Sequence, residues 1–135
     1  MPDEPSSVIW FEIWVSDLDR AEGFYGPLLG WTFRPFEEYD PQNYHLVSTP
    51  DGALGGALVR IRETARPATG DGPRTVVYAA VPELHAAVAK ARSLGAAVVA
   101  EPRAIGSADG WFALIEDQDG NRLGLWSQTL DAVDA

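Results

Sequence analysis

The sequence VIWFEIWVSDLDRAEGFYGPLLGW, residues 8–31, sets the pattern for the rest of the chain. Its first part, residues 8–15, is rich in β-branched and aromatic side chains, which predicts a β-strand. Ser16 or Asp17 can then cap the start of a helix, because a short polar side chain accepts a hydrogen bond from an unpaired backbone N–H. Gly30 suits the end of that helix, where the backbone often turns left-handed. A strand followed at once by a helix is therefore expected.

Three further strands follow the predicted helix. They are expected over residues 31–36, 44–48 and 54–61, from their apolar and aromatic content. The pair Asp51-Gly52 favours a tight turn between the last two strands, since Asp-Gly adopts the backbone angles of a two-residue hairpin. The first half of the chain is thus predicted to form one βαβββ module.

The same order of elements returns in the second half of the chain. A strand is predicted over residues 75–81, and residues 83–94 carry apolar side chains at the spacing of an amphipathic helix. Three more strands are expected over residues 97–101, 111–116 and 122–127. The pair Asp119-Gly120 marks the last hairpin, as in the first half. This internal repeat predicts an α+β fold built from two βαβββ modules.

The predicted domain organisation follows from the repeat. Residues 66–74 are rich in Pro and Gly and are expected to link a first module, 8–65, to a second module, 75–128. Residues 1–7 are expected to be a flexible N-terminus, and residues 129–135 a frayed acidic tail. A chain of 135 residues is long enough for these parts to form one domain with a real core.

The composition limits the partners that the chain can have. It carries 20 acidic and 10 basic residues, a formal net charge of −10, which argues against binding to nucleic acid or to an anionic membrane. Its sequence has no apolar run approaching the roughly 20 residues that span a bilayer. The absence of cysteine excludes disulfides and thiolate chemistry, and we expect a cytoplasmic protein.

Two motifs within the repeated frame resemble those of a known superfamily. The sequence VSDLDRA at 15–21, followed by FY at 24–25, resembles the first-module signature of vicinal-oxygen-chelate proteins. These include glyoxalases, bleomycin resistance proteins and extradiol dioxygenases. The sequence DQDGN at 117–121, followed by LW at 125–126, resembles their closing hairpin and strand, with Gln118 where proline is usual.

Within the superfamily, the chain is similar to a group of enzymes related to lactoylglutathione lyase. The similarity lies in WFE at residues 10–12, GW at 30–31 and GLW at 124–126. The resemblance implies two half-barrel mixed sheets that enclose a cavity, a small-molecule ligand and a homodimer. Many members of the group have no assigned substrate, so the resemblance implies a fold rather than an activity.

The resemblance also implies where a metal ion would be bound. Metal-using members supply one ligand from the first strand and one from the last strand of each module, usually His or Glu. Counting from the valines that end the first strands and from the hairpin glycines places these positions at Trp10, Gly56, Val76 and Gly124. None of these side chains can coordinate a cation, so we expect no metal and no other cofactor. The two glycines are expected to leave space at the floor of the cavity.

The alternation of side chains along a strand predicts which residues line this cavity. If Trp10 faces it, Glu12 and Trp14 do so too, whereas the residues between them face the helix. The full predicted lining is Trp10, Glu12, Trp14, Leu58, Arg60, Tyr78 and Trp126. Aromatic walls suit a planar or cationic ligand. Glu12 is a candidate general base, and it is equally a candidate partner of Arg60 in a structural ion pair.

Four functions remain open on these residues. A protein that binds an aromatic or cationic metabolite or antibiotic without a metal is favoured, with bleomycin resistance proteins as the family precedent. A metal-independent lyase or isomerase with Glu12 as its base is the second. A metal-dependent lactoylglutathione-lyase-like lyase or dioxygenase is disfavoured by the missing ligands. A dimeric scaffold without a ligand is the fourth.

Overall fold

The computed structural model describes residues 5–50, 53–61 and 72–133. Its elements are β1 (Val8–Val15), α1 (Leu18–Leu29), β2 (Thr32–Pro35), β3 (Tyr44–Ser48), β4 (Gly55–Arg60), β5 (Arg74–Ala80), α2 (Leu84–Ser93), β6 (Ala97–Ala104), β7 (Trp111–Glu116) and β8 (Arg122–Ser127). The order strand, helix and three strands occurs twice, so the predicted α+β fold of two βαβββ modules is confirmed. The largest difference in bounds is at β6, which continues beyond the predicted end at residue 101.

The chain divides into two compact units, with boundaries between Ile9 and Trp10 and between Val76 and Val77. In the first module the strands lie in the order β2-β3-β4-β1, and in the second in the order β5-β8-β7-β6. The first and last strands of each module are parallel neighbours, and the other pairs are antiparallel. Each module therefore has the mixed sheet that the sequence predicts.

Both ends of α1 are capped by the residues that the sequence singles out. The side chain of Asp17 accepts a hydrogen bond of 3.0 Å from the backbone N–H of Arg20. Gly30 has a φ of +71° and donates its N–H to the carbonyl oxygen of Gly26. Only a residue without a Cβ adopts this left-handed angle readily, so the glycine ends the helix.

The core of the first module lies between α1 and one face of its sheet. Leu18, Ala21, Val47 and Leu58 form its buried centre. The aromatic and aliphatic side chains packed against them are Phe11, Ile13, Val15, Tyr25, Trp31 and Phe33. The odd-numbered residues 11–15 of β1 thus face the helix, as predicted. The other side of this sheet, which we call the helix-free face of the first module, carries the even-numbered residues 10–14.

The second module is built in the same way around α2. Its buried centre consists of Leu84, Val88, Ala113, Ile115 and Leu125. Leu123 also packs against this cluster, so residues 123 and 125 of β8 face the helix as the alternation predicts. Neither of the helices described in the structure is long and apolar enough to cross a membrane.

The hairpin between β7 and β8 is held by the first residue of its DQDGN motif. Asp117 accepts hydrogen bonds of 2.9 Å at Oδ1 from the backbone N–H groups of Asp119 and Asn121. The bonds from Asn121, together with those from the backbone of the turn, lower the pKa of the Asp117 carboxyl below its ordinary value. The predicted hairpin is confirmed, with its turn at Gln118 and Asp119 and a φ of +85° at Gly120 rather than a two-residue Asp-Gly turn. The corresponding pair at residues 51–52 lies outside the described residues.

The predicted termini and linker need two corrections. Asp131 lies in the tail expected to be frayed, yet its carboxylate accepts 2.7 Å and 3.0 Å hydrogen bonds from the backbone N–H groups of His85 and Ala86. The tail therefore caps α2, because helix starts leave such donors unpaired. Arg74, placed in the linker, is the first residue of β5. Residues 66–71 of the linker and 1–4 of the N-terminus lie outside the described residues.

Asp131→Ala is expected to lower the free energy of unfolding at neutral pH by about 0.5–2 kcal/mol, the usual cost of a lost helix cap. Burial acts to raise the pKa of Asp131, but the hydrogen bonds from His85 and Ala86 outweigh it and hold the pKa below its ordinary value. The contribution is therefore present above about pH 4 and is lost as the pH falls and the carboxyl becomes protonated. Urea unfolding at neutral and acid pH measures this difference.

Glu83→Ala is the matched control for this variant. Glu83 occupies the N-cap position of α2, but its side chain makes no capping hydrogen bond. Its removal is expected to change the stability little. A loss of stability in Asp131→Ala that stays the same down to acid pH would contradict capping by the carboxylate.

Candidate functional site

The helix-free face of the first module carries a hydrogen-bonded group centred on Glu12. The Tyr44 hydroxyl donates to Oε2 of Glu12 at 2.8 Å, and the Trp14 indole N–H donates to Oε1 at 2.9 Å. The Trp10 indole N–H donates to the Tyr44 oxygen at 2.9 Å. We call these four residues the Glu12 network. The structure thus brings together the three predicted site residues of β1 and adds Tyr44.

Glu12 is held in this network at low solvent exposure. The residue is only 6% exposed, an unusual position for a carboxylate. Its two oxygens accept hydrogen bonds from the Trp14 indole and the Tyr44 hydroxyl. A buried anion on a sheet face opposite the core helix is therefore the main chemical feature of this module.

Tyr44 remains protonated in this position. Burial, followed by the negative charge of Glu12, raises the pKa of the Tyr44 hydroxyl well above its ordinary value. At physiological pH the hydroxyl is therefore a hydrogen-bond donor to the carboxylate rather than a phenolate.

Two aromatic rings lie beside the ring of Tyr44. The ring of Tyr44 lies 5.8 Å from that of Phe36 and 6.0 Å from that of Tyr39, measured between ring centroids. Sequence reasoning missed these residues. The strand that contains Tyr44 was predicted correctly. The face of the sheet on which the Tyr44 side chain lies depends on the pairing of Tyr44 with Val59, which the sequence did not establish.

Leu58 and Arg60 lie on the opposite face from the one predicted. In the parallel register Ile13 is paired with Leu58 and Val15 with Arg60, so both point toward the helix side. Leu58 is fully buried in the core of the first module. The prediction counted from the hairpin glycine, and an error of one residue in register exchanges the two faces of a strand.

Arg60 is consequently placed away from Glu12. Its Nε donates a 2.9 Å hydrogen bond to Oδ1 of Asn43. It lines an open depression of about 340 Å³ together with Ser16, Asp17, Leu18, Asp19, Gln42 and His45. The alternative of a structural ion pair between Glu12 and Arg60 is therefore wrong. His45 lies 2.5 Å from Glu22, measured between Nδ1 and Oε2, and thus connects β3 to α1.

Gly56 is also on the helix side, because it is paired with Phe11. A Cβ added to Gly56 would lie 2.5 Å from the Phe11 ring. The residues of β4 that share the face of Trp10 are Gly55, Ala57 and Val59. None of these has a ligand atom either, so the corrected register leaves the interpretation of the first module unchanged.

The helix-free face of the second module carries Tyr78, Gly124 and Trp126. Tyr78 is paired with Gly124 in the register, and a Cβ added to that glycine would overlap the Tyr78 ring. The space expected above Gly124 is therefore filled by an aromatic ring, and the expectation of an open floor was wrong. The Trp126 indole N–H donates to the carbonyl oxygen of Asp109 at 2.9 Å.

Sequence reasoning also missed Arg122 on the same face. Arg122 is only 6% exposed and donates a 2.8 Å hydrogen bond to Oε2 of Glu116. The antiparallel register pairs Glu116 with Arg122, so a carboxylate and a guanidinium face each other across two strands. The sequence did contain a signal for Arg122. It alternates with Gly124 and Trp126 along β8, so it is expected on the same face as these two residues.

The residues present do not fit the divalent cation that the family resemblance implies. The positions that would supply its ligands are occupied by Trp10, Val76, Gly124 and residues 55–57 of β4, which have no ligand side chains. In the part of the chain that the structure describes, no three His, Cys, Asp or Glu side chains come together as a metal site. Structural sites for such ions generally use several oxygen or imidazole ligands.

Comparison with known proteins identifies relatives across nearly the whole chain. The model for the "Glyoxalase/Bleomycin resistance protein/Dioxygenase superfamily" matches residues 7–125. A Mycobacterium tuberculosis protein named "Putative glyoxylase CFP32" is 33% identical over 118 residues, which are 87% of this chain and 42% of the relative. The chain thus spans less than half the length of the curated relatives it matches.

Solved structures share the same architecture. Methylmalonyl-CoA epimerase from Mycobacterium tuberculosis has a TM-score of 0.63 and 25% identity, covering 89% of this chain and 86% of its own. The Mn(II)-bound glyoxalase from Novosphingobium aromaticivorans has a TM-score of 0.60 and 19% identity, covering 97% of this chain and 44% of its own. The second likeness concerns the fold alone.

Proposed function

The chain belongs to the glyoxalase/bleomycin resistance protein/dioxygenase superfamily, and from this premise we propose that it binds a small aromatic or cationic molecule without a metal. The proposed site is the helix-free face of the first module. The observation that carries the proposal is the Glu12 network, a buried carboxylate held between two tryptophans and a tyrosine. Concave small-molecule sites combine apolar walls with a few fixed polar groups.

The side chains of the network favour a ligand with a planar ring or a positive charge. Indole and phenol faces attract cations through their ring electrons, and this attraction grows when water is excluded. The Glu12 carboxylate adds a full negative charge at low exposure. The strongly acidic chain, with its net charge of −10, would also attract a cation from a distance.

Absence of a metal is part of the same proposal. Support comes from the ligand positions, where aromatic, aliphatic and glycine residues replace the His and Glu of metal-using relatives. The ring of Tyr78 over Gly124 also occupies the volume that a ligand side chain would need at that position.

A metal-independent lyase or isomerase with Glu12 as general base is less well supported. A general base must be free to take a proton from the substrate, and both oxygens of Glu12 already accept hydrogen bonds from Trp14 and Tyr44. Binding therefore accounts better for the geometry. The homodimer and the cytoplasmic location expected from the sequence stay predictions.

Titration of the chain with N-methylquinolinium, and with neutral quinoline as its uncharged counterpart, tests the proposed function. Wild type is expected to bind the cation and to be stabilised by about 2.7 kcal/mol when the cation is at 100 times its Kd. Glu12→Gln is expected to weaken cation binding by about tenfold to a hundredfold, the range for losing a hydrogen bond or contact to a charged group. Calorimetry and thermal unfolding measure both effects.

Glu22→Gln provides the control, because it neutralises a carboxylate on α1, at the helix side of the same module. It should leave the affinity for the cation unchanged. Chelator treatment should also leave binding unchanged. Stoichiometric Mn²⁺, Ni²⁺ or Zn²⁺ in the purified protein, or binding that requires one of them, would contradict the metal-free site.

A further inference from the structure

We propose that Tyr44 determines which ligand charge the helix-free face of the first module accepts, by fixing Glu12 as a hydrogen-bond acceptor that selects cations and hydrogen-bond donors over anions. This inference rests on the proposed function, and it assigns a role to a residue outside the predicted site. Its basis is the direction of the hydrogen bonds that link Trp10, Tyr44 and Glu12.

The direction of the network follows from the chemistry of its members. An indole N–H can only donate, so Tyr44 must accept from Trp10 through its oxygen. The single hydroxyl proton of Tyr44 is then available for Glu12, 2.8 Å away. Trp14, also a donor only, reaches the other oxygen of the same carboxylate. The hydrogen bonds from Trp14, Trp10 and Tyr44 thus run toward Glu12, the last two in series.

The position of the Tyr44 hydroxyl is fixed by its ring. Phe36 and Tyr39 contact that ring, tilted and edge-on respectively. On the sheet, Tyr44 pairs with Val59, the neighbour of Trp14 on the parallel strand. The hydroxyl therefore reaches Glu12 from a ring packed against two aromatic neighbours, and its bond to Oε2 favours one orientation of the carboxylate.

An arrangement whose donors converge on one carboxylate offers a ligand negative charge and acceptor oxygens. A ligand carrying a cation or an N–H or O–H group can complement it. A ligand carboxylate placed against it would meet like charge in a poorly solvated setting, which costs far more there than in water. Removal of the Tyr44 hydroxyl leaves Glu12 with one donor fewer and Trp10 without its acceptor, so both are expected to lose their orientation.

Three bicyclic aromatic probes that differ in charge test the inference: N-methylquinolinium, quinoline and 2-naphthoate. Wild type is expected to bind them in that order, with the cation at least tenfold tighter than quinoline. Tyr44→Phe retains the ring and is expected to reduce the ratio of the two affinities about tenfold, in the range for a lost hydrogen bond to a charged group. Calorimetric Kd values give the ratio, and tryptophan emission reports the change around the Trp10 indole.

Tyr25→Phe is the control, since Tyr25 packs on Trp31 at the helix side of the same module. It should leave the ratio unchanged. Equal weakening of all three probes by Tyr44→Phe would indicate a purely structural tyrosine and overturn the inference, as would a wild type that prefers 2-naphthoate. A cation preference that survives in Tyr44→Phe but is lost in Glu12→Gln would overturn the role of Tyr44 alone. A wild type that binds none of the probes would overturn the proposed function as well.

Discussion

Leu58→Ala is expected to lower the free energy of unfolding by about 2–5 kcal/mol, the range for removing a large buried aliphatic side chain. Leu58 has no solvent exposure and packs with Leu18, Ala21 and Val47 between the sheet and α1. Its removal takes contacts from several neighbours at once and leaves a cavity that the surrounding structure closes only in part. Urea unfolding followed by circular dichroism measures the loss.

The same variant distinguishes the two faces of β4. Leu58 lies on the helix side, so Leu58→Ala should leave the affinity for N-methylquinolinium unchanged at temperatures where the protein is folded. Leu54→Ala is the matched control for stability, because Leu54 is 41% exposed and its truncation should cost little. A stable Leu58→Ala variant with altered ligand binding would restore the placement that the sequence predicted.

The element order could be predicted because each element carries local signals. The strand content of β1, the cap at Asp17 and the left-handed position at Gly30 act within a few residues of one another. The turn of the last hairpin is equally local. The repetition of the pattern then indicates the same module twice, so the fold follows without any long-range information.

The side-chain faces of the closing strands required more than local signals. In the second module, counting from the hairpin glycine placed Gly124 and Trp126 on the correct face. In the first module the same count placed Leu58 on the wrong face, because the count assumed equal hairpins. Side chains alternate between the two faces of a strand, so an uncertainty of one residue in the register leaves the face of each side chain unknown.

The polar partners of the site were harder still to predict. Tyr44 reaches Glu12 across 32 positions of sequence, and Asp131 reaches α2 across 45 or more. Neither contact has a local pattern, since each depends on which strand or helix end folding brings alongside. Glu12 itself was found from sequence because it is the only charged residue within a strand of aromatic and aliphatic side chains.

Gly124→Ala is expected to lower the free energy of unfolding by about 1–3 kcal/mol, the cost of adding a methyl group to a packed site. The added Cβ would overlap three ring carbons of Tyr78, Cγ, Cδ2 and Cε2. Because Cγ is the ring atom attached to the Tyr78 Cβ, rotation of the ring alone cannot remove the overlap. Tyr78 is only 6% exposed and contacts Phe112, with 6.5 Å between ring centroids. The ring is therefore buried, and moving it away from the added methyl group would disturb its packing on Phe112.

Gly23→Ala serves as the control for that variant, because a Cβ at Gly23 would meet nothing within 4 Å and the residue lies inside α1. It should raise the stability by about 0.5–1 kcal/mol, since alanine is the better helix former. A lower free energy of unfolding in Gly124→Ala and a higher one in Gly23→Ala would separate the overlap with the Tyr78 ring from the general effect of replacing glycine. Equal signs would contradict the close packing of Tyr78 on Gly124.

Gly124→Glu, which returns a typical family ligand to this position, should destabilise the fold further than Gly124→Ala does. It should not recruit Mn²⁺, because the Tyr78 ring occupies the place that a ligand side chain would take.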